Sequence, residues 1–199
     1  MRKLIILVFP LVLVSCSNSK TPNAKNFQEA INNDLMQNNF ACISIFNNFP
    51  VSVIIANQSS DPDYPKLEAL KKVGLVSSTD IEKKMDTYYG HPIFKVHSYD
   101  VTPEGKKFLS TTLANTFCYA EPQVAKIINW TEPSADLGET LTNVTYTYQL
   151  KNIASWANDP TMRDIFPKIV QLVENADKEQ RNQDLTLTNT GWKVPHQRF

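Results

Sequence analysis

Between positions 144 and 150 the chain alternates without a break: Val144, Tyr146, Tyr148 and Leu150 are apolar, and Thr145, Thr147 and Gln149 between them are polar. A period of two sends successive side chains to opposite faces, the pattern of an antiparallel strand with one face in a core and the other toward solvent. Two β-rich runs, Cys42-Ile43-Ser44-Ile45-Phe46 and Val51-Ser52-Val53-Ile54-Ile55, flank the turn-like Asn47-Asn48-Phe49-Pro50 and predict two more strands. Leu185 and Leu187, then Asn189-Thr190-Gly191, then Trp192 and Val194 predict a hairpin. Phe94 and Val96 fall on even positions but Tyr99 and Val101 on odd ones. That phase change predicts a bulge or bend at His97 or Ser98 which keeps all four on one core face.

Helical spacing appears three times. Asn26 with Glu29 has the form of a capping box, and Phe27, Ile31 and Leu35 follow at intervals of four. After Pro65 come Leu67, Leu70 and Val73, closed by Gly74-Leu75, a glycine stop with an apolar cover. Asp159-Pro160 then opens a run carrying Met162, Ile165, Phe166, Ile169, Val170 and Val173. Pro167 must kink or restart that helix, because an interior proline costs about 3 kcal/mol. The expected fold is α+β: a helical N-terminal lobe over residues 26–115, and an antiparallel-sheet lobe with one amphipathic helix over residues 116–199. Residues 17–25 are small and polar and read as a tether.

The segment Leu67-Glu-Ala-Leu-Lys-Lys-Val-Gly-Leu-Val76, followed by Phe94-Lys-Val and by Tyr99-Asp-Val-Thr-Pro-Glu-Gly-Lys-Lys-Phe-Leu109, resembles a winged-helix module. The resemblance implies a helix, a β-wing, and a second helix capped by Thr102 with Pro103 in its first position. Across residues 62–107 eight lysines face seven acids, a net charge of +1. That is no footprint for a polyanion, so the resemblance does not extend to nucleic acid.

At the N-terminus Arg2 and Lys3 precede residues 4–14, which are apolar except for Pro10. The run is too short to span a bilayer, which takes about 20 residues, and has the form of a secretory signal. It ends in Leu13-Val14-Ser15-Cys16, which resembles the lipobox of bacterial lipoprotein precursors. The resemblance implies removal of residues 1–15 and acylation of Cys16, with residues 16–25 as a lipidated tether; the alternative is an ordinary secretory signal. Ser17, rather than aspartate, comes after the cysteine. By the same resemblance this favours the outer membrane, periplasmic face, over the inner membrane.

Export changes the reading of the other two cysteines. Cys42 and Cys118 would form a pair in an oxidising compartment, and a disulfide between them is expected, the alternative being two buried thiols. Loss of residues 1–15 removes Arg2 and Lys3 and leaves 18 basic against 20 acidic residues, a net charge of −2 that also argues against nucleic acid.

Candidate chemistry is sparse. The five glycines, at 74, 90, 105, 138 and 191, lie at least fifteen residues apart, so neither a phosphate-cradling loop nor a nucleophile elbow can be assembled. His91 and His97 would stand about 20 Å apart in extended chain, too far to share an ion. Asp61 with Asp63, and Glu132 with Asp136 and Glu139, are loose acidic groups in loops. Tyr88, Tyr89, Tyr119, Trp130 and Trp156 in or near loops are candidates for a contact surface. The sequence therefore implies a lipid-anchored, non-catalytic envelope protein that needs no cofactor and binds an envelope protein or polymer. One alternative is an envelope hydrolase using the acids at 132, 136 and 139. Another is an exclusion or immunity lipoprotein with one tight partner.

Overall fold

The computed structural model describes residues 18–195 apart from positions 89 and 137. The signal segment, Cys16, Tyr89 and His196 lie outside the described residues.

Helix α1 (Ala24–Gln37) carries Phe27, Ala30, Ile31 and Leu35 on its buried face. It opens earlier than the capping box at Asn26 suggests. Asn23 is the cap, its side-chain oxygen accepting the Asn26 N–H at 2.9 Å, while Asn26 is itself buried. Next come strands β1 (Cys42–Ser44) and β2 (Val51–Ile54), then helix α2 (Tyr64–Lys72), which ends at Gly74 with φ +77° and the Leu75 N–H bonded to the Leu70 carbonyl. A long hairpin succeeds them, β3 (Val76–Lys84) and β4 (Ile93–Val101). The second half holds β5 (Thr116–Cys118), β6 (Glu121–Trp130), β7 (Ser134–Asp136), β8 (Glu139–Lys151), helices α3 (Pro160–Ile165) and α4 (Pro167–Asn175), and the closing pair β9 (Gln180–Thr188) and β10 (Gly191–Lys193).

These strands form three antiparallel sheets. The largest runs β10-β9-β8-β6, with β7 paired to the start of β8. Along β8, Thr142, Val144, Tyr146 and Tyr148 are buried, as the alternation requires. The sheet curls into half a barrel. Helix α1 packs against both β6 and β10, strands that a flat sheet would hold about 14 Å apart at about 4.8 Å per step. Two register shifts in β6, between Val124 and Lys126 and between Ile127 and Asn129, sharpen the bend. Helix α1 satisfies the backbone there: Val124 N–H donates to Asn32 Oδ1 at 2.7 Å, and Gln28 Nε2 donates to the Val124 carbonyl at 3.4 Å. The second sheet is β2-β4-β3 beneath α2, and the third is the short pair β1-β5.

The expected α+β fold with a helical N-terminal lobe is corrected by this arrangement. The protein is mainly β, 39 % strand against 30 % helix; β1, β2 and β4 lie where strands were expected, and with β3 they make the lobe expected to be helical largely a β-sheet region. Thr102 does accept the Gly105 N–H, but the chain makes only a single 3-10 turn there, Gly105–Phe108. It then returns to extended backbone, and Leu109 bridges to Phe117. Residues 110–112 are Ser and Thr, which compete with a helix through their own backbone bonds. In the C-terminal half the amphipathic run is two helices, broken at Phe166 and restarted by Pro167, the second of the two outcomes the proline allows.

The phase change in β4 has a different cause from a bulge. Its register with β3 runs unbroken from Val76 opposite Val101 to Lys84 opposite Ile93. Tyr99 points under α2, and Val96 is buried on the other face, paired across the sheet with Ile54 and Ile81.

Candidate docking groove

The clearest polar construction lies at the far end of α1 from the N-terminus. Cys42 and Cys118 stand opposite each other in the β1-β5 register and are joined by a disulfide, S–S 2.11 Å. Two residues further along, the Ser44 and Thr116 hydroxyls bond at 2.9 Å. The chain then leaves β1 as the loop of residues 45–50, which is tied on two sides.

On one side stands Asp63, which has no exposed surface. Its Oδ2 accepts the backbone N–H of Phe46 (3.1 Å), the backbone N–H of Asn47 (3.3 Å) and Asn47 Nδ2 (3.1 Å), and its Oδ1 meets Lys66 Nζ at 3.1 Å. A buried carboxylate is tolerable only with such a set of donors. On the other side Asn115, in the left-handed region at φ +55°, accepts the Ile45 N–H at its carbonyl (3.0 Å) and the Phe49 N–H at Oδ1 (3.3 Å). Its amide also donates to Asn48.

The effect is to tie the Phe46 backbone to Asp63 while its ring stays out of the core. Phe46 is 88 % exposed, and Leu113, on the neighbouring loop, is 51 % exposed. Between them lies an open groove of about 530 Å³, bordered also by Lys66, Ala114 and Thr116. The loop that carries Leu113 is tied to the C-terminal end of α1: Asn39 Nδ2 donates to Thr112 Oγ1, and Thr112 Oγ1 donates to the Gln37 carbonyl.

A second groove, about 430 Å³, runs between α1 and β10 and is lined by Glu29, Asn33, Asp34, Gln37, Trp192 and Lys193 among others. Neither groove is lined by Glu132, Asp136 or Glu139. Glu132 is exposed, and Glu139 accepts the Thr186 hydroxyl at 3.2 Å on the strand surface. Asp136 stands opposite Glu139 in the β7-β8 register.

The other residues singled out from sequence are dispersed. His91 meets Asp86 near the tip of the β3-β4 hairpin, where Tyr88 is 95 % exposed. His97 sits between Asp80 (2.6 Å) and Gln58 (2.9 Å) with Tyr64 stacked on it, and the neighbouring Tyr99 donates its hydroxyl to Glu68. Burial, then that bond to Glu68, keeps the Tyr99 phenol protonated far above its ordinary range. Among the described residues no group of three or more His, Cys, Asp or Glu is placed to hold a metal ion. Tyr119 and Trp156 belong to the core, in edge contact with each other, and Trp130 lies against Phe27.

Sequence reasoning missed Phe46, Leu113 and the role of Asp63. One signal was present: in the run 42–46, Ser44 marks the outward parity, and Phe46 shares it.

Compared with models of protein families, with characterised proteins and with solved structures, the chain matches none. The class it defines rests on geometry: a disulfide-bonded, mainly β protein with a helix wrapped in a curled sheet and an exposed phenylalanine clamped at one pole. No helix among the described residues is long and apolar enough to cross a membrane.

Proposed function

We propose that this is an exported lipoprotein, acylated at Cys16 and held at the periplasmic face of the outer membrane, whose folded body binds an envelope protein through Phe46 and Leu113. The observation that carries the binding reading is the clamp on Phe46. A solvent-exposed aromatic ring costs a folded protein solubility, yet here the buried Asp63 and the Asn115 network fix its backbone in place. Interfaces draw most of their affinity from a few such anchors, and a rigid anchor loses little entropy on binding. The Cys42–Cys118 disulfide supports an oxidising compartment.

A photoreactive amino acid placed at position 46 in living cells tests this reading. It is expected to crosslink to one envelope protein. The same probe at Ile153, exposed on a different loop, is expected not to. Leu113→Ala should reduce the crosslink without shifting the melting temperature. Equal capture from both positions, or none from 46, would remove the groove as a docking site. Cys16→Ala should move the protein from the membrane pellet to the soluble fraction, and persistence in the pellet would count against the anchor.

A further inference from the structure

The first described residues are fastened to the body. Ser19 Oγ donates to the Thr190 carbonyl at 3.2 Å, and Trp192 Nε1 donates to the Lys20 carbonyl at 3.1 Å. The buried Asn26 amide donates to the carbonyls of Asn18 (2.9 Å) and Thr21 (2.8 Å). Gly191 packs so closely on Ser19 that a Cβ there would stand 3.0 Å from it. Asn18 is thus held to the body, and in the sequence one residue, Ser17, separates it from Cys16. Two residue steps span at most about 7 Å.

Phe27 links this fastened segment to an exposed apolar edge. Its ring meets Trp192 at 5.1 Å and Trp130 at 5.4 Å, both edge-on. Trp130 is 39 % exposed, and Ile128, two residues earlier in β6, is 37 % exposed. Lys20, Lys25 and Lys193 are exposed around the same end of α1, with Glu29 and Glu132 also exposed near it. Tryptophan favours the headgroup layer, where its apolar ring and polar N–H are both accommodated, and lysines there meet anionic headgroups.

We propose that the folded body rests directly on the bilayer, with Trp130 and Ile128 in the headgroup layer and Lys20, Lys25 and Lys193 against anionic lipid. This rests on acylation of Cys16, since the one-residue spacer is what denies the body any stand-off.

The test uses the full acylated protein in vesicles of phosphatidylethanolamine and phosphatidylglycerol bearing brominated acyl chains. Bromine is expected to quench part of the tryptophan emission. That quenched part should vanish in Trp130→Phe, and should shrink in the surface variant Lys20→Glu with Lys193→Glu. Acylated protein that floats with the vesicles but shows quenching unchanged by either variant, or none at all, overturns the contact and leaves the anchor standing. Protein whose Cys16 is unmodified by mass, and which stays out of the floating fraction, overturns the anchor and the contact together.

Discussion

The carboxylate of Asp63, with no exposed surface, accepts the backbone N–H of Phe46 at 3.1 Å, so a fully buried residue positions one that is 88 % exposed. The two should respond oppositely to truncation. Asp63→Ala strands the Phe46 and Asn47 donors, while Lys66, itself partly exposed, loses its partner but stays solvated; leaving donors unsatisfied in this way lowers stability by about 1 to 3 kcal/mol. Phe46→Ala touches nothing in the core and should leave stability within about 0.5 kcal/mol of the wild type. Urea unfolding of both variants checks this, and a strongly destabilised Phe46→Ala would mean that the ring is structural.

The Cys42–Cys118 bond closes a loop with a sequence separation of 76. Chain entropy assigns such a cross-link about 4 kcal/mol, acting through the unfolded state. Replacing both cysteines with serine should therefore lower the urea midpoint strongly. Reductant should do the same to the wild type and nothing further to the double variant. Equal midpoints with and without reductant in the wild type would show that the bond contributes nothing.

The features legible in the sequence are those that depend on neighbours along the chain. The alternation through Val144, Tyr146 and Tyr148 located β8, and the spacing of Phe27, Ile31 and Leu35 located α1. The features lost depend on distant partners. Asn23 and Asn26 are equally good caps by chemistry, but Asn23 Oδ1 accepts the Asn26 N–H, while the Asn26 side chain turns back to donate to the Asn18 and Thr21 carbonyls. The bulge expected in β4 presumed one buried face, whereas a central strand can bury Val96 on one side and Tyr99 on the other. The helical lobe failed for the same reason, since β3 is exposed along most of its length and carries no apolar alternation, and is a strand only through its pairing with β4. Phe46 looks like one more apolar strand residue, and its exposure is decided by Asp63, seventeen residues on.

Gly105 is required by close approach rather than by an unusual backbone. A Cβ at that position would lie 2.0 Å from the Leu75 carbonyl oxygen and 3.0 Å from the Val101 side chain. Since Thr102 also donates to the Gly74 carbonyl (2.7 Å), the 3-10 turn cannot back away without breaking its tie to α2. Gly105→Ala should lower stability by about 1 to 3 kcal/mol, as overpacking does. Gly138→Ala is the control: nothing lies within 4 Å of its Cβ, and only its φ of +85° opposes the change. Its effect should be about 1 to 2 kcal/mol, the penalty of a left-handed conformation. Thermal melts of the two variants compare steric with conformational strain, and a neutral Gly105→Ala would show that the turn shifts freely.

High pH should unfold the protein by way of its buried phenols. Burial, followed by the nearby Glu179, pushes Tyr148 up to about 12, and its hydroxyl donates to the Leu172 carbonyl at 2.9 Å. Burial also raises Tyr99, Tyr119 and Tyr146. A tyrosine raised in the fold contributes stability that is fully present below the unfolded value of about 10 and is lost as pH climbs through the folded value. The unfolded chain releases these protons first, so stability must fall with rising pH from about 10 upward. Tyrosinate absorbance should accordingly rise late, together with the loss of circular dichroism, rather than along a simple titration curve. Tyr148→Phe should flatten the pH dependence of the unfolding free energy in that range while lowering its value at neutral pH through loss of the Leu172 bond. Phenols that titrate near 10 in a protein still folded by circular dichroism would contradict the burial of this face of β8.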